Sequence, residues 1–441
     1  MKLRIEKAIY GGAGLARIAE ADGRSKAVFV PLTLPGETVE AHITEDKGSF
    51  ANAALDAVLD ASPERISPAC QHFGICGGCH YQHANYETQL EMKRIILQET
   101  LTRAKLAAIP EIQIHPSAPW EYRNRIRLHI AKAAGQIVIG YYQRASHRIF
   151  EVQECLVAAP LLVKTVRALQ SMAARGNALL EICGEVEFFC NAEETELQAS
   201  FFTTQNTENS AQSFAALCEE LKTLVPQLTG AGLFTQPQQE NSRSKLIAEP
   251  SEIAHWGPDE LIYTVDTTGY RVSRGAFFQV NRGLLASLRD LVTSGRSGKL
   301  AWDLYAGVGL FSVPLTENFS RVVAVESSAA AMHDLKHNLT GTQHQISAVT
   351  TLNFLRAQQT AARPDLIVLD PPRAGLGPEV CKLLGEIAAP ELVYVSCDPA
   401  TLSRDLAALV EFGYQLVHLH LFDLFPQTFH LETVAVLTRE A

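Results

Sequence analysis

The most constraining feature of the chain is a succession of short apolar runs in its C-terminal part, each closed by a turn built from glycine, proline or an acid. Lys299-Leu-Ala-Trp-Asp303-Leu-Tyr305-Ala-Gly307-Val-Gly309-Leu-Phe311-Ser312 reads as a strand, a G-x-G turn and the opening of a helix, and Arg321-Val-Val-Ala-Val-Glu326 as a second strand. Asp365-Leu-Ile-Val-Leu-Asp370-Pro371-Pro372-Arg373 is a later run of the same kind. Glu391-Leu-Val-Tyr-Val-Ser396 reads as a buried strand, and Asp398-Pro399 is a start signal for the helix after it. Strands alternating with helices pack as an α/β sheet, which presents its chemistry outside the carboxyl ends of the strands.

Cys397 therefore sits on a strand-to-helix turn. Backbone N–H groups at a helix start favour an anion, so a thiol there should ionise more easily than a free one. Taken alone, an unpaired cysteine more often packs as a small hydrophobe. Glu326 stands about 20 residues beyond the first glycine of the turn, where doubly wound folds bond ribose hydroxyls. The third glycine of the dinucleotide fingerprint is missing, with Ser312 in its place, and no pyrophosphate cradle is apparent. Asp303, Glu326 and Asp370 fit S-adenosylmethionine instead: its adenosine needs an acid for the ribose, and its methyl group must point at a substrate near the tip of a later strand. Arg274-Gly275-Ala-Phe277-Phe278-Gln279-Val280-Asn281 precedes this domain's first helix, with Asn281 as a possible cap.

The N-terminal 61 residues read as a small β-barrel of the oligonucleotide-binding type, five-stranded, with Gly11-Gly12 as a bend. No Lys-Ser/Thr pair follows those glycines, so they are not a phosphate loop. Ser67 to Gln82 then carries Cys70, Cys76 and Cys79 in a C-x5-C-x2-C run loosened by Gly77 and Gly78. Nine cysteines in a cytoplasmic chain are not a disulfide framework, and so compact a run points to an inorganic centre. Zinc and 4Fe-4S both suit thiolates; His72 and His80 would complete a mixed zinc site, and Cys155 is available as a fourth thiol. Cys183, Cys190 and Cys218 lack a ligand pattern and read as core thiols.

The formal net charge of −10 argues against a nucleic-acid partner until its distribution is considered. Met92 to Arg148 is a basic island holding Lys93, Arg94, Arg103, Lys105, Arg123, Arg125, Arg127, Lys132, Arg144 and Arg148. Tyr86 to Leu106 reads as a helix with Lys93 and Arg94 on its polar side, and Tyr122 to Ile130 as a strand with its arginines on one face, either solvated or in contact with phosphate. The Gln198–Gly257 region suggests antiparallel strands and long loops and names no chemistry. No run is apolar enough to span a bilayer, and Met1 to Glu6 lacks the apolar core of a signal peptide, so a cytoplasmic protein is expected.

Together, Gly11 to Arg17, Cys70 to Cys79, Phe278-Gln-Val-Asn281, Asp303 to Gly309, Asp370-Pro-Pro-Arg-Ala-Gly375, Ser396-Cys-Asp-Pro-Ala-Thr401 and Phe425-Pro-Gln-Thr-Phe-His-Leu-Glu432 closely resemble the RNA uracil-5-methyltransferases, in particular the 23S ribosomal RNA branch with a TRAM domain and a 4Fe-4S cluster. The likeness covers nearly the whole chain. It implies a Rossmann-like class I methyltransferase domain (266–441), preceded by a TRAM barrel (1–61) and a mixed, mainly antiparallel central domain (62–265). It further implies Cys397 as nucleophile, Glu432 as general base, Gln279, Tyr305, Glu326 and Asp370 as contacts to S-adenosylmethionine, and Cys70, Cys76, Cys79 and Cys155 as cluster ligands. Leu310 departs from the pattern, standing where some relatives place a polar residue. The expected partner is ribosomal RNA, for a monomeric chain without membrane attachment. The alternatives are uracil-5-methylation of transfer RNA, and an RNA amino or cytosine methyltransferase, because Asp-Pro-Pro-Arg resembles a motif that holds an exocyclic amine.

Overall fold

The computed structural model describes residues 1–19, 23–106, 108–133, 135–203, 205, 210–235, 250–341, 343–358 and 363–440. Much of the long loop expected between Gln198 and Gly257 thus lies outside the described residues. The chain forms two compact units: Met1–Pro119 with Pro371–Lys382 and Tyr394–Thr438, and Trp120–Asp370 with Leu383–Val393 and Arg439–Ala441.

In the first unit, residues 2–60 form a curled sheet of six strands: Lys2–Arg4, Lys7–Ala8, Ala13–Ala19, Ser25–Pro31, Thr38–Asp46 and Phe50–Asp60. Five strands were expected, and the difference is a break at Ile5-Glu6. There the chain changes partners, Ile5 N–H donating to Glu37 O at 2.9 Å and Glu6 N–H to Leu15 O at 2.7 Å. The sheet thereby curls around Leu3, Ile5, Val28, Val30, Val39 and Ala41, which alternate with half-buried or exposed residues.

The helix Tyr86–Arg103 follows, capped by Asn85 Oδ1 accepting from Thr88 N–H at 2.8 Å. It stops short of Leu106 because Lys105 has φ 58°. Its polar side is not all solvated. Lys93 is fully buried, with Nζ 2.5 Å from Asp423, which removes it from the basic island. Ile112–His115 pairs in parallel with Gln415–Phe422, and Gln415–Phe422 runs antiparallel to Glu432–Thr438.

In the second unit a seven-stranded sheet runs Ile149–Glu151, Gln136–Tyr142, Arg125–Ala133, Cys183–Cys190, Leu197–Thr203, Leu228–Thr235 and Glu252–Trp256. Only the Leu197–Thr203 and Leu228–Thr235 pair is parallel, and the helix Ser210–Leu224 lies between them in sequence. Ile126, Leu128, Phe188 and Phe201 pack with residues of that helix and of Pro160–Ala174, and Cys183, Cys190 and Cys218 are core thiols as expected. The hairpin Glu260–Val265/Thr268–Ser273 follows, and the boundary expected at 265/266 falls in its turn. Beyond it Gly298–Leu304, Phe319–Val325, Gln345–Ser347 and Leu366–Leu369 are mutually parallel, ordered third, second, first, fourth. This part is the Rossmann-like sheet of the expected α/β fold, buried on both faces as parallel sheets are.

Candidate functional site

Two groups of side chains stand where the sequence placed its chemistry, one in each unit. In the second unit, Gly298–Leu304 ends at a tight turn in which Tyr305, Gly307 and Gly309 all have positive φ, 67°, 55° and 96°. The helix after this turn is only Ser312–Leu315, so no extended helix N-terminus awaits a pyrophosphate. Glu326, at the end of the neighbouring strand, accepts from Gly307 N–H at 2.9 Å and from the N–H groups of Ser327 and Ser328 at 2.6 and 2.7 Å. Leu310 is buried.

Asp303, which the sequence pattern grouped with Glu326 and Asp370, is strongly perturbed. It is fully buried, one carboxylate oxygen accepts from Ser312 Oγ, and the other has no hydrogen-bond partner. Burial pushes its pKa up to about 7, with Glu326 adding to the rise. Asp370 is likewise held at about 7, by burial first and by Asp303 second. Two carboxylates that cannot comfortably ionise together fit a cationic ligand. A Cβ built on Gly307 would meet nothing within 4 Å, so the turn is open to a ligand. The donor and acceptor set suits a sulfonium nucleoside: an acid for ribose hydroxyls and buried carboxylates for positive charge. Gln279 is buried, its carbonyl accepting from Asn124 Nδ2 at 3.1 Å, and Asn281 caps the turn before Leu285–Thr293 by accepting from Gly283 and Leu284 N–H.

In the first unit, Cys397 is half-buried at the end of the Glu391–Ser396 strand. Asp398 caps the helix Pro399–Glu411, its Oδ1 accepting from Ala400 and Thr401 N–H at 3.0 Å each. Those two donors are therefore taken by the cap rather than directed at the thiol. Tyr10, from the barrel, donates to Cys397 O at 3.5 Å and packs edge-on to Phe429 at 5.3 Å. Arg373 lies 3.4 Å from His430 Nδ1, and Thr401 Oγ1 donates to Arg373 O at 3.1 Å. Gly375 is required here: φ is 73°, and a Cβ would come within 2.4 Å of Asp405 Oδ2.

Glu432 opens the Glu432–Thr438 strand and is only 3% exposed, so it is not a solvated surface acid. That strand neighbours Glu391–Ser396 in the sheet, and Arg439 N–H donates to Pro390 O at 3.0 Å. The end of one strand thus lies beside the start of the other, and the two run antiparallel. The start of the second, Glu432, consequently falls at the Cys397 end. Tyr10, Arg373, Phe429 and His430 escaped sequence reasoning as members of this group because their proximity is created by distant parts of the chain.

The cysteine run behaves differently. Cys70, Cys76 and Cys79 are half-buried and form no disulfide, and Gly78 N–H is directed at Cys76 Sγ at 3.4 Å, a donor suited to a thiolate. Among the described residues, however, no three His, Cys, Asp or Glu side chains are placed together to hold a metal ion. Cys155, in the other unit, packs against the core of the seven-stranded sheet. The donor chemistry fits a thiolate-bound centre, but the placement is not a ligand set.

The arginine face is also corrected. Arg125 and Arg127 do share a face of Arg125–Ala133, but each is engaged across the sheet. Arg125 lies 3.5 Å from Glu187 and over the Phe189 ring at 4.1 Å, while Arg127 Nε donates to Glu185 at 2.7 Å with its guanidinium over Phe202. Arg125 is thus not a solvated cation, whereas Arg127, with 47% of its side chain exposed, stays at the surface. Arg125→Glu is therefore expected to lower folding stability by about 3–5 kcal/mol, the scale for breaking a buried pair, as a fall in denaturation midpoint. A midpoint equal to that of the parent chain would return Arg125 to the surface.

With the geometry in place, comparison with known proteins is informative. The family profile described as tRNA (Uracil-5-)-methyltransferase matches residues 85–440, and that of the TRAM domain residues 1–55. The chain is 31% identical to the 23S rRNA (uracil(1939)-C(5))-methyltransferase RlmD of Chromohalobacter salexigens, across 99% of this chain and 89% of that protein. It is also 31% identical to an uncharacterized RNA methyltransferase of Aquifex aeolicus, across 99% and 98% respectively. Among solved structures, the Pyrococcus abyssi tRNA (uracil-54, C5)-methyltransferase in complex with S-adenosyl-L-homocysteine is similar with a TM-score of 0.74 at 22% identity, covering 99% of this chain and 100% of that one. At that identity the likeness establishes the fold.

Proposed function

The chain belongs to the tRNA (uracil-5-)-methyltransferase family of RNA methyltransferases, and from that premise we propose that it uses S-adenosylmethionine to methylate C5 of a uridine in 23S ribosomal RNA through a covalent bond between Cys397 and C6. The observation that carries this reading is the pairing of Cys397 with a buried carboxylate, Glu432, at adjacent strand ends.

The chemistry needs both groups. C5 of uracil is too weak a nucleophile to take a methyl group unaided. Addition of the Cys397 thiolate to C6 moves the C5–C6 electron pair toward O4, giving an enolate whose C5 is nucleophilic. S-adenosylmethionine, when bound, supplies the electrophilic methyl carbon and keeps the electron pair of the broken bond on sulfur. Glu432 then accepts the C5 proton, the C5–H pair re-forms the double bond, and the C6–S bond breaks with its pair returning to Cys397. In this reading Glu326 bonds the ribose, Asp303 and Asp370 offset cationic charge, and Gln279 and Tyr305 complete the cofactor contacts. The target base must leave its stack, which single-stranded loops of ribosomal RNA make less costly.

Incubating the protein with cellular RNA and S-adenosylmethionine, then mapping new methyl groups by mass spectrometry, tests the assignment. Methyl groups on C5 of uridine in 23S RNA support it; methyl groups on an exocyclic amine or on cytosine overturn it. The second reading, methylation of transfer RNA, is favoured by the description of the family whose profile matches residues 85–440. It predicts the same C5 product on transfer RNA.

The buried acids give a pH dependence of definite sign. A carboxylate whose folded-state pKa is raised from 3.8 to about 7 binds more protons folded than unfolded between those values. Stability without cofactor should therefore fall as pH rises through that window, and cofactor affinity should rise, since ionised acids bind the cation. Asp303→Asn is expected to raise the melting temperature at pH 8 while weakening S-adenosylmethionine binding by about tenfold or more, which is about 1.4 kcal/mol. Calorimetry across pH 5–8 checks both; unchanged affinity would remove Asp303 from the cofactor's surroundings.

The 4Fe-4S assignment to Cys70, Cys76, Cys79 and Cys155 rests on the resemblance carried by the C-x5-C-x2-C run. Metal sites often assemble only as the metal binds. Anaerobically purified protein is expected to be brown with about four irons per chain; colourless protein carrying stoichiometric zinc would contradict it.

A further inference from the structure

The segment from Asp423 to Leu431, which leads directly into Glu432, is held from below by buried polar side chains of the Tyr86–Arg103 helix. Lys93 Nζ donates to Asp423 Oδ1 at 2.5 Å and to Phe425 O at 3.0 Å, and Tyr86 OH donates to Asp423 Oδ2 at 2.9 Å. Four residues on from Asp423, Gln427 is clasped by Gln89: Gln89 Nε2 donates to Gln427 Oε1 and Gln427 N–H to Gln89 Oε1, both at 3.0 Å. Gln427 O accepts from His80 and Tyr81 N–H at 2.7 and 3.0 Å.

The side chains of Lys93 and Asp423 are wholly removed from water. A buried pair of this kind is weak evidence for stability, because packed apolar side chains of similar volume often serve as well. It does something that apolar packing cannot. One ammonium bridging a carboxylate and a main-chain carbonyl two residues later fixes the backbone path, not merely its burial. Gln427 also has φ 69°, a conformation costly for a residue with a Cβ, which persists only where the surroundings impose it. The helix, then, determines how the chain enters the strand that begins with Glu432.

We propose that Lys93 and Gln89 are positioning residues for removal of the C5 proton: by fixing the path of Asp423–Leu431 they place the Glu432 carboxylate. This rests on Glu432 being the base. Only the late half of the reaction should feel their loss, when the C5 proton passes to Glu432, the C5–C6 double bond re-forms and the C6–S bond returns its pair to Cys397. Addition of Cys397 to C6 comes earlier and does not use the Glu432 carboxylate.

The test uses the full chain, labelled RNA and S-adenosylmethionine in single turnover, following formation and resolution of the covalent protein-RNA species separately. The variants are Lys93→Met/Asp423→Asn, which neutralises the pair while keeping an acceptor for Tyr86, and Gln89→Leu, with Glu432→Gln as reference. Adduct resolution is expected to slow by about 10- to 100-fold, the scale of a roughly 1 Å misplacement, with formation changed by no more than about twofold. Variants that melt like the parent yet resolve the adduct at its rate overturn the proposal. So do variants in which formation and resolution slow together, the mark of a purely structural role. A Glu432→Gln reference that resolves normally instead overturns the assignment of the base.

Discussion

Cys397→Ala is expected to abolish methyl transfer, lowering the rate by about 10⁴-fold or more, the scale on which covalent enzymes lose activity with their nucleophile. Without the thiolate, C5 never acquires the electron density to attack a methyl carbon. No positioning of the two substrates can supply that density. Half-buried at a strand end, Cys397 is accessible enough for a small substitution to disturb little. Cofactor affinity should be unchanged, because the residues assigned to the cofactor are others. Denaturing gels with labelled RNA should show no protein-RNA species. A variant that methylates at the parent rate would remove the covalent mechanism.

Glu432→Gln should lower turnover by about 10²- to 10⁴-fold, the usual contribution of a positioned base, and should do so without blocking the earlier steps. Glutamine matches glutamate in shape, which matters at a residue only 3% exposed. Thiolate addition and methyl transfer remain possible, while the C5 proton has lost its acceptor. The methylated adduct should therefore persist and be visible on the same gels. A variant that turns over normally would move the base to another residue. Opposite gel phenotypes for these two substitutions are the most direct separation of their roles.

Elements whose partners are close in sequence, or whose burial is written in their own composition, were legible before any coordinates. The apolar runs at Leu366–Leu369 and Glu391–Ser396 are strands, Asn281 and Asp398 cap the turns that follow them, and Cys183, Cys190 and Cys218 lie in the core. What the sequence could not convey is set by distant partners. Lys93 looks like a surface cation because its carboxylate lies 330 residues away. Arg125 looks like a solvated cation because Glu187 arrives on another strand. The same holds for Ile112–His115, too short to be recognised as an edge strand until Gln415–Phe422 is there to pair with it. Asp303 is the instructive case within the candidate site. Its identity was plain, but its raised pKa follows from complete burial beside Glu326, which periodicity within one strand cannot reveal.

The central claim, a covalent bond from Cys397 to C6 of a uracil that is methylated at C5, is tested most directly with RNA containing 5-fluorouridine. Fluorine at C5 cannot leave as the proton does, so the reaction should stop after methyl transfer with the protein still attached. Digestion and mass spectrometry are expected to find methylated 5-fluorouridine on the peptide that contains Cys397, and only when S-adenosylmethionine is present. Unmodified Cys397, with methyl groups found on RNA at any atom other than C5 of uracil, would contradict the account.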